Sequence, residues 1–217
     1  MNSKSFHGME VEWSLSRKPV SYKYAIDFME KRVEKIKRGQ KNELIWILEH
    51  PSIYTVGSSG KEEDIINSNN IPVFHTGRGG QVTWHGPGQV IVYVMLNLTK
   101  RKNDVRSYVR NLENWIIESL YLLGINADRK KDRIGIWITK KDKTETKIAA
   151  IGVRIRHGIT YHGISINLDC DLSNYNNIIP CGIKKKKYGV TSILNENNLS
   201  TKEDLNLSLQ KTFRIIF

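Results

Sequence analysis

Between Pro19 and Arg38, apolar residues recur at three- and four-residue spacing: Tyr22, Ala25, Ile26, Met29, Val33 and Ile36. That is the stripe of one helix face, and Gly39 supplies its stop. A stronger stripe (Val105, Tyr108, Val109, Leu112, Ile116, Leu120, Leu123) predicts a helix over 104–123, with Gly124 behind it. A third helix is expected from Ser200 or Thr201, with Glu203 and Asp204 in its first turn. Between the helices the period shortens. LIWIL (44–48), ended by Pro51, reads as a buried strand, and 82–84 and 90–98 read as strands flanking a glycine-rich turn. In the second half IGIWIT (134–139), KIAAIGVRIR (147–156) and ITYHGISINL (159–168) are strands, the last two joined into a hairpin by His157 and Gly158. No repeat or linker interrupts the pattern, so the expectation is a single α+β domain over 1–217.

Composition changes this picture little. A net charge of +12 admits an acidic partner, but the charges are spread along the chain rather than gathered on one helix face. A nucleic-acid binder would cluster basic and aromatic residues in a groove, whereas the aromatics here sit mostly in the apolar stripes. No apolar run approaches a membrane span, and MNSKSFHGMEVEWSL lacks the basic-then-apolar layout of a secretory signal, so the expected location is cytoplasmic. Two cysteines, Cys170 and Cys181, make neither a disulfide framework nor a metal cluster.

Candidate chemistry lies in two places. Cys181, between Pro180 and Gly182, sits in a polar, irregular stretch where a thiol can meet a substrate; Cys170, closing a strand, is the better structural filler. A thiol needs a cation or base beside it to act as a nucleophile, and His85, His157, His162 or one of many lysines would serve; spacing does not choose among them. The second place is GRGGQVTWHGPGQ (77–89), dense in glycine and carrying Arg78, Thr83, His85 and Gln89. It is neither a P-loop nor a dinucleotide fingerprint, because a strand-like run and not a helix follows Gly88. A turn of this kind suits an acyl or carboxyl-bearing ligand.

Taken together, GRGGQVTWHGPGQVIVYVMLNL (77–98), KIAAIGVRIRHGITYHGISINL (147–168) and PCGI (180–183) resemble the octanoyltransferases of lipoate assembly, within the biotin/lipoate protein ligase superfamily. The resemblance runs over about the whole chain. It implies a mixed, mostly antiparallel sheet with helices packed around it. It also implies transfer of an octanoyl group from octanoyl-acyl carrier protein to a lysine of a lipoyl domain, in a 2-oxoacid dehydrogenase subunit or a glycine-cleavage H protein. On the family pattern Cys181 matches the acyl-accepting cysteine and Lys147 its partner. Substrate contacts are expected from Arg78, Gly79, Gly80, Gln81, Val82, Thr83, Trp84 and His85, from Ala150, Ile151 and Gly152, and from Gly163, Ile164 and Ser165. Ser165 departs from the pattern by placing a hydroxyl where a smaller apolar side chain is expected. No ATP and no metal are implied, nor a nucleic acid or membrane partner. The rival readings are an ATP-dependent ligase on the same fold, a basic nucleic-acid-binding protein and a cysteine hydrolase. The run Lys184–Lys187 lies outside the motif and reads as a solvated loop.

Overall fold

The computed structural model describes residues 2–6, 9–101, 104–131, 133–179, 188–196 and 198–217. In chain order the strands are β1 (Asn2–Phe6), β2 (Met9–Leu15), β3 (Glu43–Leu48), β4 (Ile53–Val56), β5 (Val73–His75), β6 (Val82–His85) and β7 (Gln89–Met95), then β8 (Asp128–Lys130), β9 (Arg133–Thr139), β10 (Glu145–Arg156), β11 (Ile159–Asn167) and β12 (Tyr188–Val190). The helices are α1 (Tyr22–Lys37), α2 (Val105–Leu122) and α3 (Lys202–Ile216).

All three helices form where the sequence places them. Each starts at a side chain that takes up a free backbone N–H: Ser21 for α1, Asp104 for α2, and Thr201 for α3, where Asp204 completes a capping box. Gly39 and Gly124 follow α1 and α2 with φ of +69° and +78°, the left-handed geometry that glycine adopts without strain.

Among the described residues the main sheet runs β1-β2-β3-β7-β11-β10-β9-β8, with β12 also lying along β10. It is mixed and mostly antiparallel, only β2–β3 and β10–β12 being parallel. The predicted hairpin is there: β10 and β11 pair from Arg156↔Ile159 to Ala149↔Ile166, and His157 and Gly158 both have positive φ, as a tight hairpin turn requires. A smaller sheet, β5-β4-β6, stands apart. The fold is therefore the expected α+β arrangement, with β1, β2, β8, β12 and the β4 and β5 strands of the small sheet beyond what the sequence reading anticipates.

Strand alternation sorts the main sheet into two faces. On one, Ile45, Ile47, Val90, Val92, Val94, Ile136, Ile138, Ile164 and Ile166 pack with α2 and α3 into the main core. Trp115 of α2 anchors it, donating through Nε1 to Leu209 O (2.9 Å) and meeting Phe213 with ring centroids 5.2 Å apart. On the other face Leu44, Trp46, Leu48, Ile91, Tyr93 and Met95 lie under α1. That helix covers only part of the face.

Candidate active site

Where α1 ends its cover, the side chains of the sheet shrink. Ala150 and Gly152 of β10 pair with Ser165 and Gly163 of β11. Over these small residues opens a cavity of about 830 Å³, walled on one side by the 78–85 run. Every residue expected to contact substrate lines it except Trp84. Trp84 turns toward Tyr54, Tyr175 and Ile178, is almost fully buried, and donates to Ser52 Oγ (2.8 Å).

The glycines of the turn first admit the protein's own backbone. Gly88, at φ +77°, sits so close to Asp169 O that a β-carbon would collide with it. At Gly152 a β-carbon would lie 3.0 Å from Gly79 O, so the 78–81 segment could not settle on β10; Gly79 N donates to Val153 O at 2.9 Å.

Arg78 is the centre of that segment. Its guanidinium is buried and bonds inward: Nε to Thr55 Oγ1 (3.1 Å), Nη2 to Thr55 O (2.8 Å) and Gln81 O (2.8 Å), and Nη1 to Gly79 O (3.0 Å). Arg78 thus ties the glycine-rich run to β4 while presenting positive charge at the cavity wall.

Three buried histidines stand near it. His85 Nδ1 is 2.6 Å from Gln89 Oε1. Gln89 Nε2 donates to Asn167 Oδ1 and to the Tyr175 hydroxyl (both 2.9 Å), so Oε1 is its accepting end and the His85 proton is on Nδ1. His50 donates from Nδ1 to Val20 O (2.6 Å) and accepts at Nε2 from the Tyr93 hydroxyl (2.7 Å). His162, in the left-handed region at φ +58°, stacks on Tyr161 with centroids 4.9 Å apart. Burial holds all three neutral. It pushes His50 down to about 4; it takes His85 to about 3 with the charges of His50 and Arg78 adding, and His162 to about 3 with Arg78 and Arg154 adding. His157, by contrast, lies on the outside at the hairpin turn, near Glu34.

From His85 the polar row continues through Gln89 and Asn167 to Thr191, just past β12, where Asn167 Nδ2 donates to Thr191 O (2.9 Å) and Thr191 N to Lys147 O (2.9 Å). Lys147 therefore occupies a junction. Along β10 the partner strand is β11 from Arg156 back to Ala149, then β12 from Lys147 to Glu145. Lys147 lines the cavity at this change of partner, its Nζ 4.7 Å from the centre of the Trp137 ring.

Cys181 and the Lys184–Lys187 run lie outside the described residues. Their chain neighbours are placed: Tyr175 and Asn176 on one side and Tyr188 on the other all line the cavity, and Tyr188 pairs with Glu145, two residues from Lys147. Cys170 is described, and burial with the negative charges of Asp169 and Asp171 pushes its thiol up to about 12. Such a thiol stays protonated and unreactive. The residues that sequence reasoning leaves out are His50, Tyr93, Asn167, Tyr175 and Trp137, which come from five separate segments. Among the described residues no cluster of three or more His, Cys, Asp or Glu could hold a metal ion, and no helix is long and apolar enough to cross a membrane.

A mixed sheet covered by α2 and α3 on one face, and on the other partly covered by α1 and opened by small residues, defines the class. The profile of the lipoyl protein ligase A/B catalytic domain matches residues 21–214, and the chain belongs to that family. Within it, an octanoyltransferase of Parvibaculum lavamentivorans is 47% identical over 95% of this chain and 92% of its own, and one of Nitrobacter hamburgensis is 47% identical over 97% and 88%. Among solved structures, the bipartite lipoate protein ligase of Thermoplasma acidophilum, studied with its E2 lipoyl domain, shares the fold at a TM-score of 0.69. It is 17% identical, with 96% of this chain and 84% of that one aligned.

Proposed function

We propose that this protein transfers an octanoyl group from octanoyl-acyl carrier protein to the acceptor lysine of a lipoyl domain, through a thioester on Cys181 and without ATP or metal. The observation that carries the reading is the position of Lys147: on the cavity wall, beside the strand that leaves the Cys181 segment. The octanoyltransferase relatives support the acyl group, and the buried, unreactive setting of Cys170 supports Cys181 over it as the nucleophile. The small floor of Ala150, Gly152, Gly163 and Ser165 accommodates an acyl tail, whose burial contributes about 0.8 kcal/mol per methylene.

In the first half-reaction the Lys147 ammonium favours the Cys181 thiolate by charge attraction. The thiolate attacks the octanoyl thioester, the carrier sulfur leaves, and it takes its proton from Lys147. In the second, neutral Lys147 accepts the proton of the incoming lysine amine, the amide forms, and the Cys181 thiolate departs. One side chain serves as acid and then base. The donor is already activated and the amide is more stable than the thioester, so no nucleotide is consumed.

Intact-protein mass after mixing with octanoyl-acyl carrier protein, with no ATP present, tests the reading. An octanoyl adduct on Cys181, absent in Cys181→Ser and retained in Cys170→Ser, is expected, with ping-pong kinetics toward an apo lipoyl domain. Product formed only from free octanoate and ATP would establish the ligase reading instead.

A further inference from the structure

Lys147 has more than a charge to offer its partner; it has a support. Its register partner across β9 is Trp137, on the same face of the sheet. The lysine stem runs over Gly135, where a β-carbon would stand 3.2 Å from Lys147 Cε, and the ammonium reaches the indole. Arg133, at the start of the same strand, lays its guanidinium 4.8 Å from the Trp137 ring centre and 4.2 Å from that of Tyr188. Glu145 fixes that guanidinium through Oε2 at 2.5 Å and takes Lys130 on its other oxygen at 2.8 Å. Trp137 and Tyr188 themselves meet edge to face, 6.1 Å apart. Both cations, both rings and the start of β12 thus form one stack.

We propose that Trp137 is the positioning residue for Lys147, and that Arg133, stacked between Trp137 and Tyr188, holds the start of β12 at the same place. The proposal rests on the acid–base reading of Lys147 above. Cation–π attraction is strongest for tryptophan and grows as water is excluded, and Trp137 is 3% exposed. The stack therefore gives a long, flexible lysine a preferred end point, and ties Tyr188, at the start of β12, to the same ring. Two elements far apart in sequence acquire a common reference.

The test is the rate of Cys181 alkylation against pH, measured beside single-turnover acyl transfer. Lys147→Ala moves the alkylation profile to higher pH. Trp137→Leu moves it in the same direction by less, while Trp137→Phe, which keeps a ring, recovers most of the original profile. Site-specific fluorinated tryptophans at 137 keep the shape and remove electron density from the ring. They slow acyl transfer stepwise, by roughly threefold to tenfold across the series, without changing the melting temperature. They also serve if Trp137→Leu does not fold. A profile that moves in Lys147→Ala, together with an acyl-transfer rate that stays fixed throughout the fluorinated series, overturns the positioning role alone. A profile unmoved even in Lys147→Ala overturns the acid–base reading and this proposal with it.

Discussion

The two faces of the main sheet are built from the same strands and do opposite things. Toward α2 and α3, β10 and β11 send Ile148, Ala149, Ile164 and Ile166 into a core with Trp115, Leu112 and Phe213, all nearly or fully buried. Toward the cavity the same two strands send Ala150, Gly152, Gly163 and Ser165. One face is filled and the other is emptied, and because the two sets alternate from Ala149 to Gly152 and from Gly163 to Ile166, neither can be altered there by shifting the strand register without ruining the other. The filled face bears the load of stability, so the open one is free to carry costly features: buried neutral histidines, a buried guanidinium, and a left-handed histidine in mid-strand.

Acid should expose that division most strongly. His50, His85 and His162 are held neutral in the fold, far below the value of about 6.5 they take when unfolded. The unfolded chain therefore binds protons that the folded one refuses. The stabilising term is fully present above about pH 6.5 and is lost as pH falls toward 3–4, at about 1.4 kcal/mol per pH unit for each histidine. Denaturant midpoints measured between pH 7 and pH 5 should fall accordingly, and a flat series would show that the cavity face costs nothing to keep. The next largest effect belongs to the filled face. Trp115→Ala should lower stability by about 3–5 kcal/mol in urea unfolding while leaving single-turnover acyl transfer, measured where the protein stays folded, close to that of the parent. A loss of transfer as large as the loss of stability would mean that the faces are coupled. The smallest effect sharpens the comparison from the open side. Ala150→Leu, on the cavity floor, should leave the urea midpoint nearly unchanged and shift preference to shorter acyl thioesters, by about fourfold for each methylene excluded. Unchanged chain-length preference would place the acyl tail elsewhere.

The helices and the β10–β11 hairpin are legible in the sequence because their signals are local. A stripe at helical spacing, a capping aspartate or threonine, and a His-Gly turn each act within a few residues. The small sheet is not legible in the same way: VFH is three residues long, and it becomes a strand only through its parallel partner IYTV. Strand β12 is equally short and earns its place by pairing with Glu145–Lys147, more than forty residues upstream. The candidate site divides similarly. Arg78, His85 and the glycines stand out by composition, and family resemblance supplies Lys147 and Cys181. Trp137 gives no signal, because in IGIWIT it reads as one more apolar residue of a buried strand. Only the register that sets it opposite Lys147 reveals a second use.

Arg78 carries one more consequence. Its guanidinium is fastened by bonds to Thr55, Gly79 and Gln81, and its charge helps keep His85 and His162 from taking up protons. The histidines that line the cavity therefore do not ionise anywhere near neutrality. The walls present a constant electrostatic background, the same at pH 5.5 as at pH 8 on the roughly 3 that both side chains show. Any bend in the rate profile across that interval belongs to the reacting groups or to the substrates, which makes this enclosure a quiet vessel in which to titrate them.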